Sequence, residues 1–110
     1  MECNVDVNAG IANCGGAKDF YIEILDEFIA EGKIEEMVKA YEEKNWELYT
    51  IDVHSVKGTL RLIGAMDAGE VAEKLQFAGE AGDIATIDSL NPTLLEMIDI
   101  SMEKIRKEVM

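Results

Sequence analysis

Histidine is almost missing from this sequence: one occurs in 110 residues, at position 54. Cysteine occurs twice, as Cys3 and Cys14, without CxxC spacing. So few soft ligands exclude a zinc site built on this chain alone. The lone histidine also excludes a carboxylate-bridged metal bundle, which needs two Glu-x-x-His pairs, and the residue three before His54 is Ile51. Basic residues are scarce, 10 Lys and Arg against 23 Asp and Glu, for a net charge of −13. Such a chain repels nucleic-acid phosphates and anionic membranes, so neither is an expected partner. The start, MECNVDVNAG, lacks a basic segment followed by an apolar run and does not read as a secretion signal. No apolar stretch approaches the roughly 20 residues that cross a bilayer. Together with the two cysteines, expected as reduced thiols rather than a disulfide, this points to a cytoplasmic protein. Alternation of period two never lasts four residues in a β-branched context, so no strand competes with helix.

What is present favours one all-α domain over residues 1–110. Apolar residues at 48% and charged residues at 30% are ordinary for a folded chain and argue against disorder. Residues 1–17, rich in Gly, Asn and Ala, read as an irregular segment with one helical turn around Ile11, broken by Gly15-Gly16. From Lys18 the period is helical. Tyr21, Ile24, Leu25 and Phe28 fall at i, i+3, i+4 and i+7, and Ile34, Met37, Val38 and Tyr41 repeat that spacing. Gly32 separates the two runs. Asn45 is a plausible N-cap for a third long helix over Trp46–Ala65. Val71, Ala72, Leu75 and Ala78 line a fourth, with Gly82 as its stop and Asp83 as the cap of the last. In that last helix Asn91-Pro92 is expected to bend or split the run. Short connections between amphipathic helices imply antiparallel neighbours, hence an up-down antiparallel four-helix bundle with a short N-terminal helical segment.

The lone histidine lies in HSVKGTLRLIG, inside the third long helix. At about 100° per residue, Glu47, Thr50, Ile51, Lys57, Gly58, Arg61 and Ala65 fall within about 60° of His54. Val56, Thr59, Leu60 and Ile63 fall opposite, with Val53 on the flank, and form the expected core face. His54 is therefore expected on the solvent face. Within Asn45–Ala65, Glu47 and Asp52 balance Lys57 and Arg61, so the segment is locally neutral in an acidic chain and can tolerate an incoming anion. Glycine inside a helix costs about 1 kcal/mol relative to alanine. Gly58, on the His54 face, repays that cost if it keeps approach to the imidazole clear. An unprotonated imidazole is a nucleophile near neutral pH. Lys57, one turn on, could bind phosphoryl oxygens as a flexible point charge. The reading is a nucleophile with an anion stabiliser and steric access.

His54-Ser55-Val56-Lys57-Gly58, followed by Gly64-Ala65, resembles the H-x-x-K-G-x-x-x-x-x-G-A signature of histidine-containing phosphotransfer (HPt) domains. FYIEILDEF looks like that family's first bundle helix, NWELYTIDVHSVKG like the approach to its phosphorylated histidine, and EKLQFAGEAGD like the next helix and its terminating turn. The resemblance runs from about Gly10 to the last helix. It implies that His54 accepts a phosphoryl group, that Lys57 helps hold it, and that Gly58 lets a partner dock. The implied partners are response-regulator receiver domains, which bring an aspartate and Mg²⁺, and a hybrid sensor histidine kinase. The implied activity is phosphorelay without autonomous kinase activity and with no cofactor on this chain, which acts as a monomer. The sequence departs from the family at Leu60 and Leu62, where small or polar residues are common. Leu60 is expected in the core and Leu62 as an apolar contact. Ile51, Arg61, Leu62 and Ala65, with the exposed edge of Val53, are the expected partner-binding positions. Two other readings share these residues: the phospho-accepting domain of a chemotaxis-type histidine kinase, and a non-catalytic helical interaction module with a surface histidine.

Overall fold

The computed structural model describes residues 2–110. They form six helices: α1 (Val7–Asn13), α2 (Lys18–Ala30), α3 (Lys33–Glu42), α4 (Trp46–Leu62), α5 (Met66–Ala81) and α6 (Ile84–Val109). Among the described residues the only β pairing is an isolated bridge between Val5 and Ala65. Among the described residues no helix is long and apolar enough to cross a membrane.

The helix boundaries follow local chemistry. Asn45 caps α4 by accepting from the Leu48 amide at 3.3 Å, and Asp83 caps α6 by accepting from the Thr86 amide at 3.2 Å. Gly32 and Gly82 adopt left-handed backbone, φ 72° and 69°, at the α2–α3 and α5–α6 junctions. Glycine enters that region without the Cβ penalty that other residues meet.

Buried Tyr21, Leu25 and Phe28 of α2, Met37 of α3, Tyr49, Val53, Val56 and Leu60 of α4, Leu75 of α5 and Leu94 and Ile105 of α6 belong to one hydrophobic cluster. α3 packs on α4, α4 on α5 and α5 on α6. The 26 residues of α6, at about 1.5 Å per residue, match the 39 Å long dimension of the molecule. α4 and α5 run antiparallel: Thr50 meets Gly79, His54 meets Gln76 and Arg61 meets Gly69. A Cβ on Gly79 would collide with Thr50 Oγ1, and one on Gly69 would lie 3.0 Å from Arg61 Cγ. These two glycines set how closely the helices approach.

Two expectations are corrected and a third is narrowed. The helical part of the N-terminal segment is longer than the one turn expected around Ile11: α1 is a regular helix over Val7–Asn13 whose Asp6 cap accepts from the Ala9 amide at 2.9 Å. Composition hides it because its packing is against α4, with Val7 and Gly10 buried. The third long helix ends at Leu62 rather than Ala65, since Gly64 turns the chain with φ 87°. Of the bend or split expected at Pro92, the split does not occur: α6 is helical throughout. Tyr41 donates to the Asp88 carboxylate at 2.7 Å and Tyr49 to the Asn91 side chain at 2.7 Å, tying down the turn that precedes the missing amide.

Candidate functional site

His54 is exposed at the middle of α4, on the side that borders α5. The helix beneath it is fixed at both ends. Asn45 caps its start. At its end, the carbonyls that a helix leaves without intrahelical donors are taken by the N-terminal segment and α2. Asn13 donates to the Leu62 carbonyl at 3.2 Å, the Tyr21 hydroxyl to that of Ile63 at 2.6 Å, and the Asp6 amide to that of Gly64 at 2.8 Å. Burial pushes the Tyr21 hydroxyl up to about 12, so it remains a donor across the physiological range.

His54 Nδ1 lies 3.0 Å from Gln76 Oε1 on α5. Gln76 Nε2 in turn donates to Glu80 Oε1 at 3.0 Å. An amide oxygen only accepts, so Nδ1 must carry the proton. In the neutral ring Nε2 then keeps its lone pair. The hydrogen bond thus orients the ring and selects which nitrogen can act as a nucleophile.

Lys57 is half-buried one turn on and makes no ion pair among the described residues. Gly58 is exposed, and a Cβ built on it would meet nothing within 4 Å, so the space beside the imidazole is open. Arg61 is exposed but engaged: its guanidinium pairs with Glu73 of α5 at 2.8 Å. That pairing leaves Lys57, among the described residues of α4, as the cation of this face without an ion pair. Ile51 is 54% exposed one turn before His54, and Phe77, next to Gln76, is 58% exposed. Leu62 is half-buried against the core.

Two expected contact positions are overturned. Ala65 is fully buried at the start of α5, bridged to Val5, and offers no surface to a partner. Val53 has no exposed edge; it is fully buried in the core. The wheel extended the α4 periodicity to Ala65, but the turn at Gly64 carries the chain out of register. Gly64 and Ala65 instead seat the N-terminal segment, where a Cβ on Gly64 would collide with the Asp6 carbonyl. The neutrality expected of the α4 segment also changes. Asp52 is fully buried toward α3, where Lys33 Nζ lies 3.6 Å from it. Glu73 and Glu80 of α5 add acidic charge beside the His54 face.

Sequence reasoning missed Gln76, Glu80, Glu73 and Phe77. Their signal was present in EKLQFAGEAGD, where Glu73, Gln76 and Glu80 repeat at helical spacing on one stripe. Only the antiparallel pairing with α4 gives that stripe a partner. Among the described residues, no three His, Cys, Asp or Glu side chains converge as a metal ion would require. Comparison with protein-family models, curated proteins and solved structures found no match.

Proposed function

We propose that this chain is a phosphorelay intermediate of the HPt type, in which His54 takes a phosphoryl group from the aspartate of one receiver domain and passes it to another. The observation that carries the reading is an exposed imidazole whose Nδ1 is committed to Gln76, leaving Nε2 as the available nucleophile. Lys57 and the clearance at Gly58 support it. The finer architecture belongs to the same proposal: an antiparallel up-down four-helix bundle that presents the imidazole rigidly, with the short N-terminal helix α1 packed beside it.

The chemistry balances without a base on this chain. The Nε2 lone pair forms a bond to phosphorus as the acyl P–O bond of the aspartyl phosphate breaks. The bonding electrons leave with the aspartate carboxylate. The Nδ1 proton stays on the ring, held by Gln76 Oε1, and the ring's positive charge faces the phosphoryl oxygens. Return transfer to a second aspartate reverses these steps. Lys57 supplies a charge-assisted contact to those oxygens. The receiver brings Mg²⁺, which neutralises the moving group. Positioning is then the main contribution of this chain. Ile51 and Leu62 provide apolar contact area, and Arg61, held by Glu73, frames it with charge. A monomer docking transiently in the cytoplasm, with a hybrid sensor histidine kinase upstream, fits this role.

The test is transfer from a phosphorylated receiver. The wild-type chain should acquire acid-labile label and His54→Gln should acquire none; label that survives the substitution defeats the assignment. Lys57→Ala should slow transfer about tenfold, the value of roughly one charge-assisted hydrogen bond, with helicity unchanged. ATP with the isolated chain should give no label.

A further inference from the structure

The Gln76 amide can meet His54 by either end, and the two ends have opposite consequences. With Oε1 toward the ring, as observed, Nδ1 holds the proton and Nε2 is bare. With the amide turned over, its NH₂ would face Nδ1 and require Nδ1 to accept. The neutral ring would then carry its proton on Nε2, and the outward nitrogen would have no lone pair to attack with. Nothing in Gln76 itself chooses between these states, because the two ends of the amide have nearly the same shape.

The choice is made one turn further along α5. Glu80 Oε1 lies 3.0 Å from Gln76 Nε2. An ionised carboxylate only accepts hydrogen bonds, so it binds the NH₂ end and repels the oxygen end. The i, i+4 spacing of Gln76 and Glu80 on α5 keeps the two side chains on one stripe. Turning the amide over would lose a charge-assisted hydrogen bond and set two acceptors against each other.

We propose that Glu80 is a positioning residue that acts on His54 through Gln76, orienting the amide so that the imidazole proton stays on Nδ1 and Nε2 stays available. Glu80 does not touch the ring. The use made of the bare Nε2 rests on the relay reading, but the tautomer itself is a property of the free chain.

The experiment is two-bond ¹H–¹⁵N correlation spectroscopy of the whole ¹⁵N-labelled protein at about pH 9, well above the ordinary imidazole value. The single histidine makes the assignment unambiguous. The wild-type ring should be mainly the Nδ1–H form. Glu80→Ala, a change at an exposed position, should move the tautomer ratio at least threefold toward Nε2–H. The double variant Gln76→Glu with Glu80→Ala should restore the Nδ1–H form, since a carboxylate at position 76 accepts from Nδ1 without needing orientation. The proposal is overturned by a wild-type ring mainly in the Nε2–H form, by a ratio that Glu80→Ala leaves unchanged, or by failure of the double variant to restore it.

Transfer from a phosphorylated receiver, measured on the same samples, separates the two ideas. Glu80→Ala should slow transfer by the factor by which the Nδ1–H fraction falls, and a rate unchanged despite that fall removes the positioning role alone. A wild-type chain that takes no phosphoryl group defeats the relay reading and leaves the tautomer result standing.

Discussion

Asp52 lies two residues before His54 in the chain but on the opposite side of α4, fully buried, with neither carboxyl oxygen hydrogen-bonded. Burial pushes its carboxyl above the usual aspartate range. The nearby Glu36 charge adds to this, and Lys33 opposes it without reversing it. A carboxyl raised on folding stabilises the fold most below the unfolded value, about 3.9, and that stability is lost as pH rises through the raised value. Asp52→Asn should therefore flatten the fall in stability with rising pH above about 4, measured by urea unfolding at a series of pH values. Asp52→Leu should be more favourable to stability at pH 7 than at pH 4, because the charge it removes is one that burial disfavours and a half-exposed lysine only partly compensates. A pH profile identical to that of the wild-type protein would mean that the carboxylate is solvated despite its burial.

Helix α4 carries a glycine whose cost is not recovered in packing. No atom lies within 4 Å of a Cβ at Gly58, whereas Gly10, Gly69 and Gly79 all stand against neighbouring atoms. Gly58→Ala should accordingly raise stability by about 0.5–1 kcal/mol, read from the thermal midpoint. If the open space serves a docking partner, Gly58→Leu should keep that fold and slow phosphoryl transfer by roughly tenfold or more. Equal rates for the two variants would leave the glycine without a role in access. In α6 the balance differs. Pro92 is exposed within a continuous helix, so Pro92→Ala restores an amide donor with no core contact to lose. The expected gain is about 1–3 kcal/mol, measured by urea unfolding; no gain would mean that Tyr41 and Tyr49 already offset the missing bond.

At the scale of the whole molecule, the N-terminal segment acts as a clasp. It buries Cys3, Val7 and Cys14 in the common core. It also supplies donors to the end of α4, and its Cys3 carbonyl accepts from Lys104 of α6 at 2.9 Å. Deleting residues 1–16 should cost about 3 kcal/mol or more, from the apolar area re-exposed, with a matching fall in thermal midpoint. Gly64→Ala is the point version of the same test, since its backbone has φ 87° and faces the Asp6 carbonyl. If the segment merely decorates the bundle, truncation will leave the midpoint unchanged.

The all-helical class and most helix limits were legible in the sequence because they depend on local chemistry. Asn45, Asp83, Gly32 and Gly82 act within a few residues of themselves, and the apolar repeats of α2 to α6 need no partner to be seen. The exposure of His54 and the burial of Leu60 followed from the same period. The placement of Ala65, Asp52, α1 and Gln76 did not, since each is decided by a neighbour distant in the chain. Ala65 is covered by the N-terminal segment, through its bridge to Val5, and α1 packs against α4, a contact that no local signal announces. The histidine and its open flank were written in one dimension. Which side chain meets its Nδ1 was decided only when α5 folded back and brought Gln76 within 3.0 Å, because a hydrogen-bond partner 22 residues away is placed by the tertiary fold and not by the local sequence.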